Sequence, residues 1–306
     1  MLPAILSTSA IDLLLIERAV LQAIVYADIF DYPLTPTEVQ RYLVGVPASL
    51  ATVEDTIRNA PRGLRWWSYQ RGYVTLTDRE TLIDTRRQRT ERATTLWPKA
   101  LHYGHMIANL PFVRMVAITG ALAVDNVQSG ADIDYLIVVE PGRLWLCRAL
   151  TIAVVRLAAI SGDIVCPNYL ISLRALMLRE RSLYTAHELA QMVPIAGLPI
   201  YQHMRRLNSW SDQFLPNAAG PPRHVQSATQ THHTTRRIAE TALRTPVGGW
   251  LERQEMTRKV RKLHRLRGST SETDFCEDWC KGHFEAHGQH TLHAFDKRLR
   301  EVMGDM

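Results

Sequence analysis

The chain is poor in cysteine, with only Cys147, Cys166, Cys276 and Cys280 among 306 residues. So few thiols, so unevenly spread, exclude a disulfide scaffold. A long apolar run is also missing. The longest, Leu144 to Ile160, is interrupted by Arg148 and Arg156 and falls short of the ~20 apolar residues a membrane span needs. Met1 to Ala10 carry neither a basic flank nor a secretory apolar core, so the expectation is a cytoplasmic protein without membrane partners. There is no internal repeat, and no Walker A, GxGxxG or Gly-x-Ser-x-Gly pattern. With 46% hydrophobic and 22% charged residues, disordered, collagen-like and coiled-coil chains are excluded as well. At roughly 150 residues per domain, the length points to a multi-domain chain.

What is present starts with a helical block. Leu13, Ile16, Val20, Ile24 and Ala27 recur at three- and four-residue steps, the pattern of a helix with one buried face. Pro33 ends it. Thr35, Pro36 and Glu38 then spell a capping box for a short second helix, and a third starts near Ser49. Leu64 to Tyr69 and Gly72 to Leu76 read as the two arms of a hairpin, rich in aromatic and β-branched residues. Three helices and a two-stranded wing make the expected unit 1–77 a winged helix. Its third helix carries Glu54 and Asp55 against Arg58, a poor surface for phosphates. Sequence-specific DNA binding is therefore not expected, and Trp66, Trp67 and Tyr69 are read as a surface packed on a neighbouring domain. Residues 78–110 read as an arginine-rich helical connector.

From 111 the texture changes. Arg114 to Thr119 is a β-type run ending in Gly120, Asp132 to Val139 is another, and Asp163 to Ser172 a third, with an apolar helix before the last. Asp132 and Asp134 lie two residues apart on one strand, so both side chains project from one face. Two adjacent carboxylates repel and are costly to bury together unless a cation joins them; a divalent ion shared with phosphate oxygens resolves this. Gly120 leaves the preceding turn free of any side chain, so that backbone can approach a phosphate.

A hydrophobic strand ending in Gly-x and an Asp-x-Asp on the next strand, with eleven residues between Gly120 and Asp132, resembles the DNA polymerase β-like nucleotidyltransferase superfamily. The resemblance covers residues 112–175. It implies that Asp132 and Asp134 are catalytic and hold Mg²⁺ or Mn²⁺. It also implies that Gly120, Ala121, Ser129 and Asn168 form the nucleotide side of the site. Two positions depart from the family pattern: Ala121 stands where a serine hydroxyl meets a phosphate, and Asn168 stands where a third carboxylate is expected. The resulting expectation is an α+β protein. It has a nucleotidyltransferase-type α/β core with a mixed sheet at 111–180, the winged helix before it and a helical region at 181–306. Its activity is transfer of an NMP from an NTP to an unidentified hydroxyl or phosphate acceptor, on a small molecule, protein or RNA. Two alternatives stand beside it: a nucleotide- or metal-binding module of the same fold without turnover, and a winged-helix regulator that binds nucleic acid.

Other features read as structure. Cys276, Cys280, His283 and His287 share a helical stripe, but eleven residues of helix span roughly 16 Å, too far for one zinc ion, so core packing is expected. Cys147 and Cys166 read as buried spacers. His187-Glu188 lacks the second histidine of a zinc protease motif, and Thr185 reads as a helix cap. The net charge of +6 resides in one stretch: ten basic residues and three acids lie between Arg236 and Arg267, while the rest of the chain has 26 basic against 27 acidic residues. If this segment folds over the cleft it supplies countercharge to a triphosphate, so it is expected to face Asp132.

Overall fold

The computed structural model describes residues 8–60, 63–225, 233–267, 276–281 and 287–304. Helix α1 (Thr8–Asp28) is followed by α2 (Pro36–Arg41), whose cap is the capping box expected: Thr35 Oγ1 accepts from the Glu38 N–H, and Glu38 accepts from the Thr35 N–H. Ser49 caps α3 (Leu50–Asn59) through its hydroxyl alone, which accepts from the Thr52 N–H. A single helical turn, α4 (Gly63–Trp66), replaces the outer half of the first expected strand, leaving a short hairpin of β1 (Trp67–Gln70) and β2 (Tyr73–Leu76). The hairpin turns on Arg71 and Gly72, both with positive φ, which matches the right-handed twist of the strands. Trp66 and Trp67 are buried inside this unit, and Trp67 Nε1 donates to the Ile57 carbonyl. They fill its own core instead of covering a neighbour, which corrects that expectation.

Helix α5 (Leu82–Ala108) leads into β3 (Val113–Ile118), the one-turn α6 (Gly120–Ala123), β4 (Ile133–Val139), α7 (Leu144–Ile160) and β5 (Val165–Ser172). Then come α8 (Leu183–Gln191), β6 (Val193–Ala196), α9 (Leu198–Leu207), α10 (Ser211–Phe214), α11 (His233–Leu243), α12 (Pro246–Arg267), β7 (Trp279–Lys281) and α13 (His287–Gly304). Among the described residues the sheet runs β6-β3-β4-β5-β7, with β4 and β5 parallel and the other pairs antiparallel. The protein is thus an α+β protein with a mixed sheet. The region from 181 onward is not purely helical: it supplies both edge strands. At four and three residues β6 and β7 are too short to show a period of two, and Pro194 is tolerated because β6 is an edge.

Both faces of the sheet are covered, which is why its central strands read as continuous apolar runs. Val116, Ile118, Tyr135 and Ile137 join the core beneath α5 and α7. Met115, Ala117, Leu136 and Val138 join the other core, shared with α1, α8 and Phe295 of α13. Asp134 alternates with Leu136 and Val138, so the strand pleat turns it toward α1 and α8.

Two arginines of α5, Arg86 and Arg89, act as ties. Arg86, almost wholly buried, donates to Glu38 and to the Val124 and Asp125 carbonyls while its guanidinium lies 4.1 Å from the centre of the Tyr32 ring. Arg89 bonds the Phe30 and Asp31 carbonyls and Asn126. These bonds pin the end of α1 to the loop that follows α6, and so fix α1 over the sheet.

Candidate functional site

The β3–α6 turn, the start of β4 and the start of β5 meet on the face of the sheet that α1 and α8 cover. One oxygen each from Asp132 and Asp134 and the Cys166 sulfur lie within 4.8 Å of one another. Cys166 is half-buried, stands opposite Asp134 in the β4–β5 register, and has its thiol in hydrogen-bonding reach of both carboxylates. Burial, then the charges of Asp134 and Asp132, hold that thiol well above its ordinary range. Cys166 is therefore not a spacer. Cys166, and not Asn168, is the β5 residue opposite Asp134; one extra residue in β5 follows it, before Tyr169 comes opposite Leu136. No local pattern in the sequence fixes which β5 residue pairs with Asp134, and Asn168 lies two residues further along the strand.

Gly120 has φ +64, and a Cβ built there would collide with Oδ2 of Asp134. Glycine is needed twice over, for the left-handed backbone and for the carboxylate lying against its Cα. The two loops are also joined through the backbone, where the Thr119 N–H donates to the Asp134 carbonyl at 3.0 Å.

A cavity of about 610 Å³ opens beside this cluster. Gly120, Ala121, Ser129, Asp134 and Asn168 line it together, while Asp132 lies outside the lining. The opposite wall comes from α1 and the loop after it, with Tyr26, Phe30, Asp31 and Tyr32, and from α8, with Tyr184, His187 and Glu188. Asn168 is only 8% exposed and its Oδ1 has no hydrogen-bond partner. Ala121 presents no hydroxyl, and the nearby hydroxyl of Thr119 is buried against a second cavity. His187 stacks on Tyr26 with ring centroids 3.7 Å apart, and complete burial pushes its imidazole down to about 3. It is therefore neutral at physiological pH. The cap of α8 is Ser182, which accepts from the Thr185 N–H; Thr185 itself lies inside the helix.

Two further expectations need correction. The described part of the basic segment does not face Asp132. Helix α11 sits at the opposite end of the sheet, where Glu240 binds Arg114, Arg236 and the Phe112 N–H, and Arg244 pairs with Glu140 at 2.6 Å. Helix α12 packs on α7, with Glu252 accepting from the Trp145 and Leu146 N–H groups. None of the described residues of either helix lines the cavity; the side chains of Lys262, Arg265 and Arg267 lie outside the described ones. The Cys/His stripe is not helical either: Cys280 sits on β7, and Cys276 donates its N–H to the Trp279 carbonyl. His283 lies outside the described residues. Asp163, just before β5, is taken up by Lys99 and Tyr103 at 2.6 and 2.7 Å.

Two carboxylates beside a cavity with an unsatisfied amide oxygen fit a divalent cation. Their third neighbour, a sulfur, does not belong to the all-oxygen set that magnesium prefers. No helix among the described residues is long and apolar enough to cross a membrane. Comparison with protein-family models, with curated proteins and with solved structures finds no match.

Proposed function

We propose that this protein is a metal-dependent nucleotidyltransferase that moves an NMP from an NTP to a hydroxyl or phosphate acceptor. The observation that carries the reading is the convergence of Asp132 and Asp134 with a third donor, against the bare backbone of Gly120, at the mouth of a cavity large enough for a nucleotide. Asp132 and Asp134 hold the divalent ion. The chemistry such an ion supplies when bound is neutralisation of the triphosphate and polarisation of the phosphorus under attack. Gly120 keeps the floor of the site low, so that phosphate oxygens reach the carboxylate edge. Ser129 and Asn168 offer a hydroxyl and an amide at the same wall. Tyr26 of α1 and Phe30 of the loop after it give the cavity an aromatic side suited to a planar base.

Ala121 favours a second reading, nucleotide and metal binding without turnover, because it removes the hydroxyl that meets a phosphate in the family this chain resembles. One experiment separates the two. Pyrophosphate release is measured with each NTP and with Mg²⁺ or Mn²⁺, on the wild type and on Asp132→Ala and Asp134→Ala. Transfer predicts release that either substitution abolishes. NTP binding that needs the metal, with no release, establishes the second reading, and no NTP affinity under any condition refutes both.

A further inference from the structure

We propose that Cys166 is a metal ligand in its thiolate form, and that the site takes a borderline divalent ion of the Zn²⁺ class in preference to Mg²⁺. The inference rests on reading Asp132 and Asp134 as a divalent-cation site, but not on any nucleotide transfer there.

Three observations carry it. The Cys166 sulfur and one oxygen from each aspartate lie within 4.8 Å of one another, a separation that ligands around a single ion can share. Cys166 is held there by the sheet itself, opposite Asp134 in the parallel β4–β5 pair, so the thiol is placed by backbone hydrogen bonds and not by a flexible loop. Independently, Asn168, two residues along the same strand, is more than nine-tenths buried with its Oδ1 unpartnered, and the residue lines the cavity beside Asp134. A buried amide oxygen left without a donor is destabilising, and a cation is a partner that would offset it. Two carboxylates, one sulfur and one amide oxygen make four donors, the number a zinc-class ion takes. Magnesium demands six oxygens and gains nothing from sulfur. On binding, the S–H bond breaks, the electron pair stays on sulfur and bonds the metal, and the proton goes to water; no electron is transferred.

The test uses the whole chain loaded with Co²⁺ as a spectroscopic substitute for Zn²⁺. Thiolate coordination gives intense sulfur-to-cobalt charge-transfer absorption, which Cys166→Ser abolishes. Cys166→Asp restores an all-oxygen set and raises Mg²⁺ affinity at the expense of Zn²⁺. Loss of the sulfur lowers Zn²⁺ affinity by more than the roughly 10–100-fold of an outer-sphere change. A second measurement needs no variant: Zn²⁺ protects Cys166 from iodoacetamide, read on its peptide by mass spectrometry, while Cys276, the other half-buried thiol, stays reactive. Cobalt bound without charge transfer, or Cys166 alkylated equally fast with and without Zn²⁺, overturns the inference and leaves the aspartate site intact. Absence of any divalent-ion binding overturns both. Zinc bound through Cys166 with no pyrophosphate release supports the inference while refuting transfer.

Discussion

Replacing Gly120 with alanine probes the contact on which the site is built. The backbone term comes first: at φ +64 an L-residue costs ~1–2 kcal/mol more than glycine. The steric term is separate. The added Cβ overlaps Oδ2 of Asp134, so the carboxylate must rotate off its rotamer, at ~0.5–1.5 kcal/mol for a 30° departure. The expected destabilisation is therefore about 2–3 kcal/mol, a fall in Tm of several degrees for a chain of this size. Rotation also carries the Asp134 oxygen away from Asp132 and Cys166, so metal affinity should drop by roughly 10–100-fold. Gly130 supplies the control. It has φ +73 with nothing within 4 Å of a built Cβ, so Gly130→Ala has the backbone cost alone and leaves the metal site untouched. Both variants are measured by thermal unfolding and by calorimetric titration with Zn²⁺ and Mn²⁺. Equal destabilisation of the two variants, with metal affinity unchanged in Gly120→Ala, would refute the argument that this glycine exists to seat the carboxylate.

Two other predictions concern how the sheet is held. Glu240 lies in a network at the far end of β3; burial works to raise its carboxyl, but hydrogen bonds from Arg114, the Phe112 N–H and Arg236 bring it from 4.5 down to about 2. Its charged form therefore stabilises the fold fully above pH 4.5 and loses that contribution as pH falls toward 2. Glu240→Gln should cost about 2–3 kcal/mol at pH 7 by urea unfolding, with the gap to wild type closing between pH 4.5 and 2; a gap constant with pH removes the assignment. Arg86→Ala removes the charged donor shared by Glu38 and the Val124 and Asp125 carbonyls and should cost ~3–5 kcal/mol. Arg86→Lys should recover less than half, because an ammonium cannot match the planar fork over the Tyr32 ring; full recovery by lysine would show that only charge matters there.

The parts of this molecule legible in the sequence are those set by local chemistry. The Thr35 capping box, the Ser49 cap, the hairpin at Arg71-Gly72 and the apolar runs of β3 and β4 each follow from neighbours within four residues. The Gly120, Asp134, Ser129 and Asn168 grouping was legible too, since strand pairing brings together turns that a glycine and an alternating acid pair mark. What stayed hidden depends on register or on long-range partners. That Cys166 rather than Asn168 opposes Asp134 is a matter of β4–β5 register, which no composition rule exposes. Strands β6 and β7 are strands only because β3 and β5 have edges for them to cover. The charge of α11 was countable, but its direction is set by Glu140 and Glu240 at one end of the sheet, acids that lie 100 residues apart.

This placement of charge bears on how a polyanion can be handled. A triphosphate at the cavity meets no arginine from the basic helices among the described residues, so its charge has to be met mainly by a cation on Asp132 and Asp134. The carboxylates then do more than position an ion: without one, they make the cavity mouth repel the ligand. Nucleotide binding should accordingly depend steeply on the divalent ion and weakly on α11 and α12, the reverse of a site built on a basic patch. The structural arginines support this division, because Arg86, Arg89 and Arg114 are each committed to carbonyls or carboxylates of the chain itself. Cations that tie α1 and the sheet ends into one body are not free to hold phosphate, so under the proposed function affinity for a triphosphate should pass through the divalent ion.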